Sequence, residues 1–284
     1  MLKFAICNEL FEGWDFGRVC RFVKSVGYDG LELVPFTLAN PITALTTAKR
    51  ADLRRDANDA GLEIIGLHWL LAKTQRLHLT SPERTVRERT AAYLVALAEA
   101  CHNLGGTILV FGSPAQRSLL PGVSREQAFE WAAEVIGGVT PALDRLGVSI
   151  CMEPLSRDET EFINTCDEAV HLIQLVDHPR VVLHLDVKAM SSEPTSVTAL
   201  IRRFASRAGH FHANDPNRRG PGFGDTDFVP IFEALDESGY NRWVSVEVFD
   251  YAPDPETVAR RSIEYMTRCL GGRRSSAHSE RTSP

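Results

Sequence analysis

The chain has 284 residues, of which 44% are apolar, and a formal net charge of −6; this is enough for the core of one large α/β domain and gives no electrostatic drive toward nucleic acid or an anionic membrane. No run approaches the roughly 18 consecutive apolar residues of a membrane span, and the opening MLKFAICNELFEGWD lacks the apolar stretch and small-residue cleavage site of a secretory signal. The six cysteines (Cys7, Cys20, Cys101, Cys151, Cys166 and Cys269) are scattered without a CxxC pair, as expected for reduced thiols in a cytoplasmic protein.

Strand-like runs alternate with helical spacing along the chain. They are KFAICN (3–8), GLELVPF (30–36), EIIGLHWL (63–70), TILVFGS (107–113), VSICMEPL (148–155), VVLHLDVKAM (181–190), GHFHAND (209–215) and RWVSVEVF (242–249). The clearest helix spans 82–104, with Leu94, Ala98, Cys101 and Leu104 on one stripe, Ser81 as N-cap, Pro82 at the first helical position and Gly105 as the stop. Eight βα units predict a parallel sheet, and eight is the number that closes a (β/α)8 TIM barrel. An open doubly wound sheet is the alternative, but neither GxGxxG nor GxxxxGK[ST] follows the first strand. The predicted barrel domain is 1–270. The tail 271–284, GGRRSSAHSERTSP, has almost no apolar residues and is predicted to be disordered.

Four segments in the second half end in a residue able to bind a hard divalent metal: SICMEPL with Glu153, LHLDVKA with Asp186, HFHAND with His212 and VSVEVF with Glu247. Side chains alternate along a strand, so Val148, Ile150 and Met152 share one face while Cys151 and Glu153 share the other. The same split sets Leu183 and Leu185 against His184 and Asp186, and Val244, Val246 and Val248 against Ser245 and Glu247. One apolar face and one smaller, more polar face fit strands with helices outside and a barrel interior within, which places all four ligands inside. Barrel active sites lie at the C-terminal ends of strands, where these four residues fall. Three carboxylates and one imidazole without thiolate suit one divalent ion, Mn2+ ahead of Mg2+ or Co2+, better than structural Zn2+.

The order Glu, Asp, His, Glu on strands five to eight, with EPLSRDETEFINT, LDVKAM and HANDPNRRGPGFGD around it, resembles the sugar phosphate isomerase/epimerase family with xylose isomerase-like barrels, nearest to D-tagatose and D-psicose 3-epimerases. The resemblance runs from KFAICNE through GYDGLEL to the last strand. It implies that Glu153, Asp186, His212 and Glu247 are metal ligands, that Glu153 and Glu247 are also the catalytic acid-base pair, and that Glu159 and Arg218 contact substrate. It also implies a carbohydrate substrate and a homo-oligomer, dimer or tetramer. One position departs: Ala189 stands where these epimerases carry a substrate-binding histidine.

In the implied mechanism a divalent ion acidifies the C–H beside a bound carbonyl, and two glutamates on opposite faces of the sugar remove and return a proton through an enediolate. A leaving group beside the same enolate would be expelled, so a lyase or deglycosylating enzyme acting on 3-oxo-glycosides is the alternative, with Ala189 leaving room for a bulkier substrate. A non-catalytic carbohydrate-binding barrel is a third. Cleavage of abasic DNA calls for further His and Asp ligands and a basic groove, and the sequence has neither.

Other polar residues have two readings each. His184 and His210 point inward as buried, hydrogen-bonded partners or core groups. Glu32 is a buried structural partner or part of the pocket floor. His68 and Trp69 either line the sugar pocket or belong to the core, and Arg117 faces ligand or solvent. Gly220, Gly222 and Gly224 mark either a loop approaching a ligand or a tight turn.

Overall fold

In a computed structural model, which describes residues 2–279, eight parallel strands close in sequence order, each bonded to the next and β8 to β1. They are β1 (Lys3–Cys7), β2 (Gly30–Leu33), β3 (Glu63–Leu67), β4 (Ile108–Phe111), β5 (Ser149–Met152), β6 (Val181–Asp186), β7 (Ala208–Ala213) and β8 (Trp243–Val246). One long helix follows each strand: α1 (Phe16–Val26), α2 (Thr47–Asp59), α3 (Arg84–Leu104), α4 (Arg125–Leu146), α5 (Cys166–Val176), α6 (Val197–Phe204), α7 (Phe228–Glu237) and α8 (Pro255–Ser279). The predicted barrel is therefore the fold. Helix α8 continues through Gly271, where the sequence predicts order to end, to Ser279; the remainder of that predicted tail, 280–284, lies outside the described residues.

Local chemistry sets the boundaries. Helix α4 starts on a capping box in which Ser124 and Gln127 each satisfy the other's backbone N–H. Helix α3 carries its predicted stripe, since Leu94, Ala98, Cys101 and Leu104 are all buried, and it stops at Gly105, whose φ is 96°. It starts at Arg84 rather than Pro82, because the Ser81 hydroxyl accepts from the Glu83 N–H in a tight turn ahead of the helix.

Outward-facing strand residues pack with the helices in one continuous core, whereas Ala5, Ile65, Ile108, Val110 and Cys151 form a separate apolar cluster with Val182 and Trp243. This second cluster fills the lower barrel, so the polar inner residues stack above it toward the C-terminal mouth. Two register shifts adjust that stack, one in the β2–β3 ladder and one between β6 and β7, where His184 is opposite His210 and Asp186 is opposite His212. A Cβ at Gly66, beside the first shift, would overlap the Ile108 carbonyl; a Cβ at Gly209, at the second, would overlap Val182. All six cysteines are unpaired and buried, and no helix among the described residues is long and apolar enough to cross a membrane.

Because the Ile108 carbonyl is backbone bonded into the barrel, Gly66→Ala should cost about 1–3 kcal/mol by overpacking. Thermal melting should show this as a fall in Tm of a few degrees; an unchanged Tm would remove the close-packing account of this glycine.

Candidate active site at the barrel mouth

Strands β5, β6 and β7 bring Glu153, His184, Asp186 and His212 together, with one ligand-type atom from each lying within 4.8 Å of the others, and all four are buried. Three of the four predicted ligands are in this group. The fourth, Glu247, joins through His212, its Oε2 lying 3.1 Å from His212 Nδ1. His184 is the unexpected member. Sequence offers it as a buried, hydrogen-bonded partner or a core group, yet neither of its ring nitrogens has a hydrogen-bond partner among the described residues.

The hydrogen bonds that fix these groups come from the layer beneath and from the loops above. His212 Nε2 is 3.1 Å from Glu32 Oε2, which also meets His210 Nε2 at 2.8 Å; Glu32 is the buried structural partner of the two sequence alternatives. Asn214 Nδ2 donates to Asp186 Oδ2 at 2.6 Å, and the Ala189 N–H donates to Asp186 Oδ1 at 2.7 Å. Glu247 Oε1 accepts from Trp69 Nε1 at 2.9 Å and meets His68 Nδ1 at 3.2 Å, while His68 Nε2 meets Glu9 Oε2 at 3.1 Å. Glu153 owes its place to Gly112 on the neighbouring strand end, because a Cβ there would occupy the position of its carboxylate.

This packing of acids separates their affinities for protons. Burial raises Glu153 well above the ordinary carboxyl range, and Glu247 and Asp186 beside it add to the effect. Asp186 is pushed up to about 6, by burial and then by Glu247. Glu247 behaves oppositely: burial would raise it, but His212 and His68 hold it well below the usual range. Burial would likewise lower His68, yet the carboxylates on its two nitrogens lift it to about 10. The result is a buried set of carboxylates with convergent oxygens and an unpartnered imidazole at its edge, which is the chemistry of a hard divalent cation site. Among the described residues, Glu153, His184, Asp186 and His212 are brought close enough to hold such an ion, and Glu247 adjoins them through His212.

A pocket of about 320 Å3 opens on this cluster, lined by Trp69, Gly112, Glu153, Glu159, Lys188, Glu247 and Phe249 among others. Glu159 is thus at the pocket wall, as the resemblance implies; its Oε2 accepts from Lys188 Nζ at 2.8 Å and from the Ser156 hydroxyl at 2.8 Å. Arg218 lies in an adjoining cleft that also touches Glu159 and Lys188. Trp69 lines the pocket, but His68 is fully buried between Glu9 and Glu247 and orients the latter instead. The physical reason is the end of β3: Trp69 adopts φ 50° just beyond it and takes the outward place.

For other residues the structure departs from the sequence alternatives or decides between them. Arg117 faces neither ligand nor solvent; it is fully buried and donates to the Glu153 carbonyl at 2.6 Å and the Ile163 carbonyl at 3.3 Å, bracing the end of β5. The glycines at 220, 222 and 224 form a tight turn, packed so closely that added Cβ atoms would meet Ser262, Tyr265 and Asp215. Ala189 is buried and lines none of these cavities, and its neighbour Lys188 is the side chain that reaches the pocket. Glu9, Arg117, Lys188 and Asn214 carry no sequence signal beyond being polar in an apolar context, so only the closed ring reveals their partners.

A closed eight-stranded barrel with acids and imidazoles gathered at its C-terminal mouth defines a metal-capable α/β-barrel enzyme class. Residues 20–269 match the family model described as the xylose isomerase-like TIM barrel, and the chain belongs to that family. It is 29% identical over 240 residues to the D-psicose 3-epimerase of Ruminiclostridium cellulolyticum, an alignment covering 83% of this chain and 78% of that protein. It is 25% identical over 277 residues to the 3-dehydro-D-guloside 4-epimerase of Escherichia coli, covering 94% of this chain and 100% of the relative. The crystal structure of D-psicose 3-epimerase with D-tagatose from Clostridium cellulolyticum superposes with a TM-score of 0.82 at 24% identity, covering 95% of this chain and 99% of that one. The curated relatives are sugar epimerases, enzymes of the isomerase class.

Two outcomes test the site. Gly112→Ala should displace the Glu153 carboxylate and reduce turnover at least about 100-fold, the scale of losing a positioned acid or base, while the circular dichroism spectrum stays that of the parent; retained turnover would separate Gly112 from the site. Asp186 must be ionised to bind a cation, so below about pH 6 binding must expel its proton. Glu153, raised further by burial and its acidic neighbours, must lose its proton too. Calorimetric titration of chelator-stripped protein should therefore show Mn2+ affinity rising with pH throughout about pH 5 to pH 7.5, most steeply below about pH 6; a flat profile over that range would contradict the shifts.

Proposed function

We propose that this protein is a divalent-metal-dependent sugar epimerase or isomerase that moves a proton beside the carbonyl of a ketose or keto-sugar. One observation carries this reading: Glu153 and Glu247, from strands on opposite flanks of Asp186 and His212, open into the same pocket while their environments push their proton affinities in opposite directions.

A divalent ion held by Glu153, Asp186, His212 and Glu247, with Mn2+ the first choice and Mg2+ or Co2+ as alternatives, would draw electron density from a carbonyl and its neighbouring hydroxyl and so acidify the adjacent C–H. Glu247, kept ionised by His212 and His68, accepts that proton. Glu153, across the pocket from Glu247 and recharged with a proton from solvent, would return a proton to the other face of the enediolate, so that this carbon would be inverted. Trp69 and His68 hold the Glu247 carboxylate still during the exchange. Lys188 and Glu159 present a donor and an acceptor to the sugar hydroxyls from the pocket wall, and Phe249 and Leu155 supply apolar surface that excludes water.

The relatives' names support sugar epimerisation, on a free ketose in one case and on a 3-dehydro-guloside in the other. Room at Ala189 is the motive for the deglycosylating alternative, and Ala189 is buried behind Asp186, so no specific observation favours that reading.

The decisive experiment strips the metal, restores Mn2+, Mg2+ or Co2+ in turn, and follows free ketoses beside 3-oxo-glycosides by NMR in D2O. Deuterium should enter one sugar carbon with inversion, only after a cation is restored, and Glu153→Gln and Glu247→Gln should each lower kcat by about 10²–10⁴-fold. Release of an aglycone, or no exchange with any substrate, would overturn the epimerase reading.

A further inference from the structure

Beside the catalytic pocket lies a larger cavity, of about 510 Å3, that shares Trp69 and Lys73 with it and is otherwise built from the segments after β1 and β2, including residues of α1 and α2, and from Tyr251. Its walls alternate aromatic faces, Trp14, Phe36, Trp69 and Tyr251, with acidic groups, Glu9 and Glu12. That combination suits a neutral sugar ring, whose C–H face packs on aromatic surface while its hydroxyls donate to carboxylates. Three carboxylates, Glu9, Glu12 and Asp15, line the cavity against two lysines, Lys49 and Lys73, which disfavours an anionic occupant.

Two further observations point to a ligand. Glu9 lines the cavity, is 4% exposed, and spends only one carboxylate oxygen on His68; its Oε1 is buried with no partner among the described residues, and such an orphan acceptor calls for a donor. Trp69, the partition between the two spaces, is held from several directions at once. Its indole N–H is on Glu247, its ring is stacked on Phe249 at 5.9 Å and lies 6.1 Å from Phe36, and its backbone sits at φ 50°, a region bulky residues rarely adopt. Through Glu9, His68 and Glu247 the cavity is also joined to the catalytic carboxylate by successive contacts of 3.1 and 3.2 Å.

We propose that this cavity is a second sugar subsite, so that the substrate is a keto-sugar joined to a second neutral glycosyl unit rather than a free ketose. The reacting ring occupies the pocket of Glu153 and Glu247, and the linked ring crosses the edge of Trp69 to pack against Phe36 and Tyr251 with a hydroxyl directed at Glu9. This rests on the keto-sugar reading for its chemistry, but the subsite can be tested without turnover.

Saturation-transfer NMR with unoxidised cellobiose on the metal-loaded protein reads contact ring by ring. Saturation of both rings, falling on one ring in Thr37→Trp, which fills the cavity from its exposed rim, supports the subsite. Saturation of one ring only in the parent protein, or of neither, overturns it, whatever the protein's activity. In turnover, kcat/KM for a 3-oxo-disaccharide should exceed that for the matching 3-oxo-monosaccharide at least about tenfold, and Phe36→Ala and Thr37→Trp should each drive that ratio toward one. Equal values in the parent overturn the subsite. Absence of deuterium exchange with either substrate, alongside two-ring saturation, overturns the keto-sugar chemistry and leaves the subsite standing.

Discussion

Concentrated negative charge in a water-poor barrel mouth is the constraint around which this structure is arranged. Glu9, Glu32, Glu153, Asp186 and Glu247 are all buried, and isolated carboxylates in such surroundings would be far too costly to keep ionised. The chain answers with imidazoles. His212 stands between Glu32 and Glu247, His68 between Glu9 and Glu247, and His210 covers the second side of Glu32. His212 and His68 each satisfy one acid below or behind the site and thereby orient Glu247, which faces the pocket, while His210 meets Glu32 alone. Glu153 and Asp186 lack an imidazole of this kind and are pushed upward, while Glu9 is raised by burial in spite of His68.

This arrangement explains why the site's chemistry is not evenly distributed around the ring. Strands β5 to β8 supply the acids and the imidazole that could hold a cation, and their spacing follows directly from parallel register, since Asp186 is opposite His212 and His212 is opposite Ser245, two residues before Glu247. The other half of the barrel contributes supports. Gly112 clears space for Glu153, Arg117 grips the Glu153 carbonyl, and Trp69 and His68 anchor Glu247. A catalytic carboxylate is useful only when its own position is settled, and here that task falls to residues far away in the chain.

The distinction also marks what could be read in the linear sequence. Period-two alternation with polar residues at strand ends reveals β5 to β8 and their inward face, because both signals are local; the eight-fold alternation likewise reveals the closed ring. Contacts such as His68 with Glu9, 59 positions apart, or Trp69 with Glu247, 178 positions apart, have no local trace. His68 and Trp69 have the same two readings, pocket or core, and only the backbone turn at Trp69 separates them, sending Trp69 to the pocket and leaving His68 buried. Arg117 is ambiguous for a related reason: a loop arginine is ordinarily solvated, and only the convergence of two backbone carbonyls shows why this one is not. The start of α3 shifts because the Ser81 hydroxyl satisfies a turn ahead of the helix instead of the helix itself.

Closure in sequence order has a consequence for how such a molecule can diversify. Groups suited to proton transfer come from the last four staves, whereas most of the neighbouring cavity is drawn from segments between Asn8 and Lys73. Insertions, deletions or exchanges in that early stretch can reshape what is admitted without disturbing the acids opposite. Selection is therefore free to retune one side of the opening while the other side stays constant, and a single reaction can pass among many carbohydrates by remodelling of the N-terminal half alone.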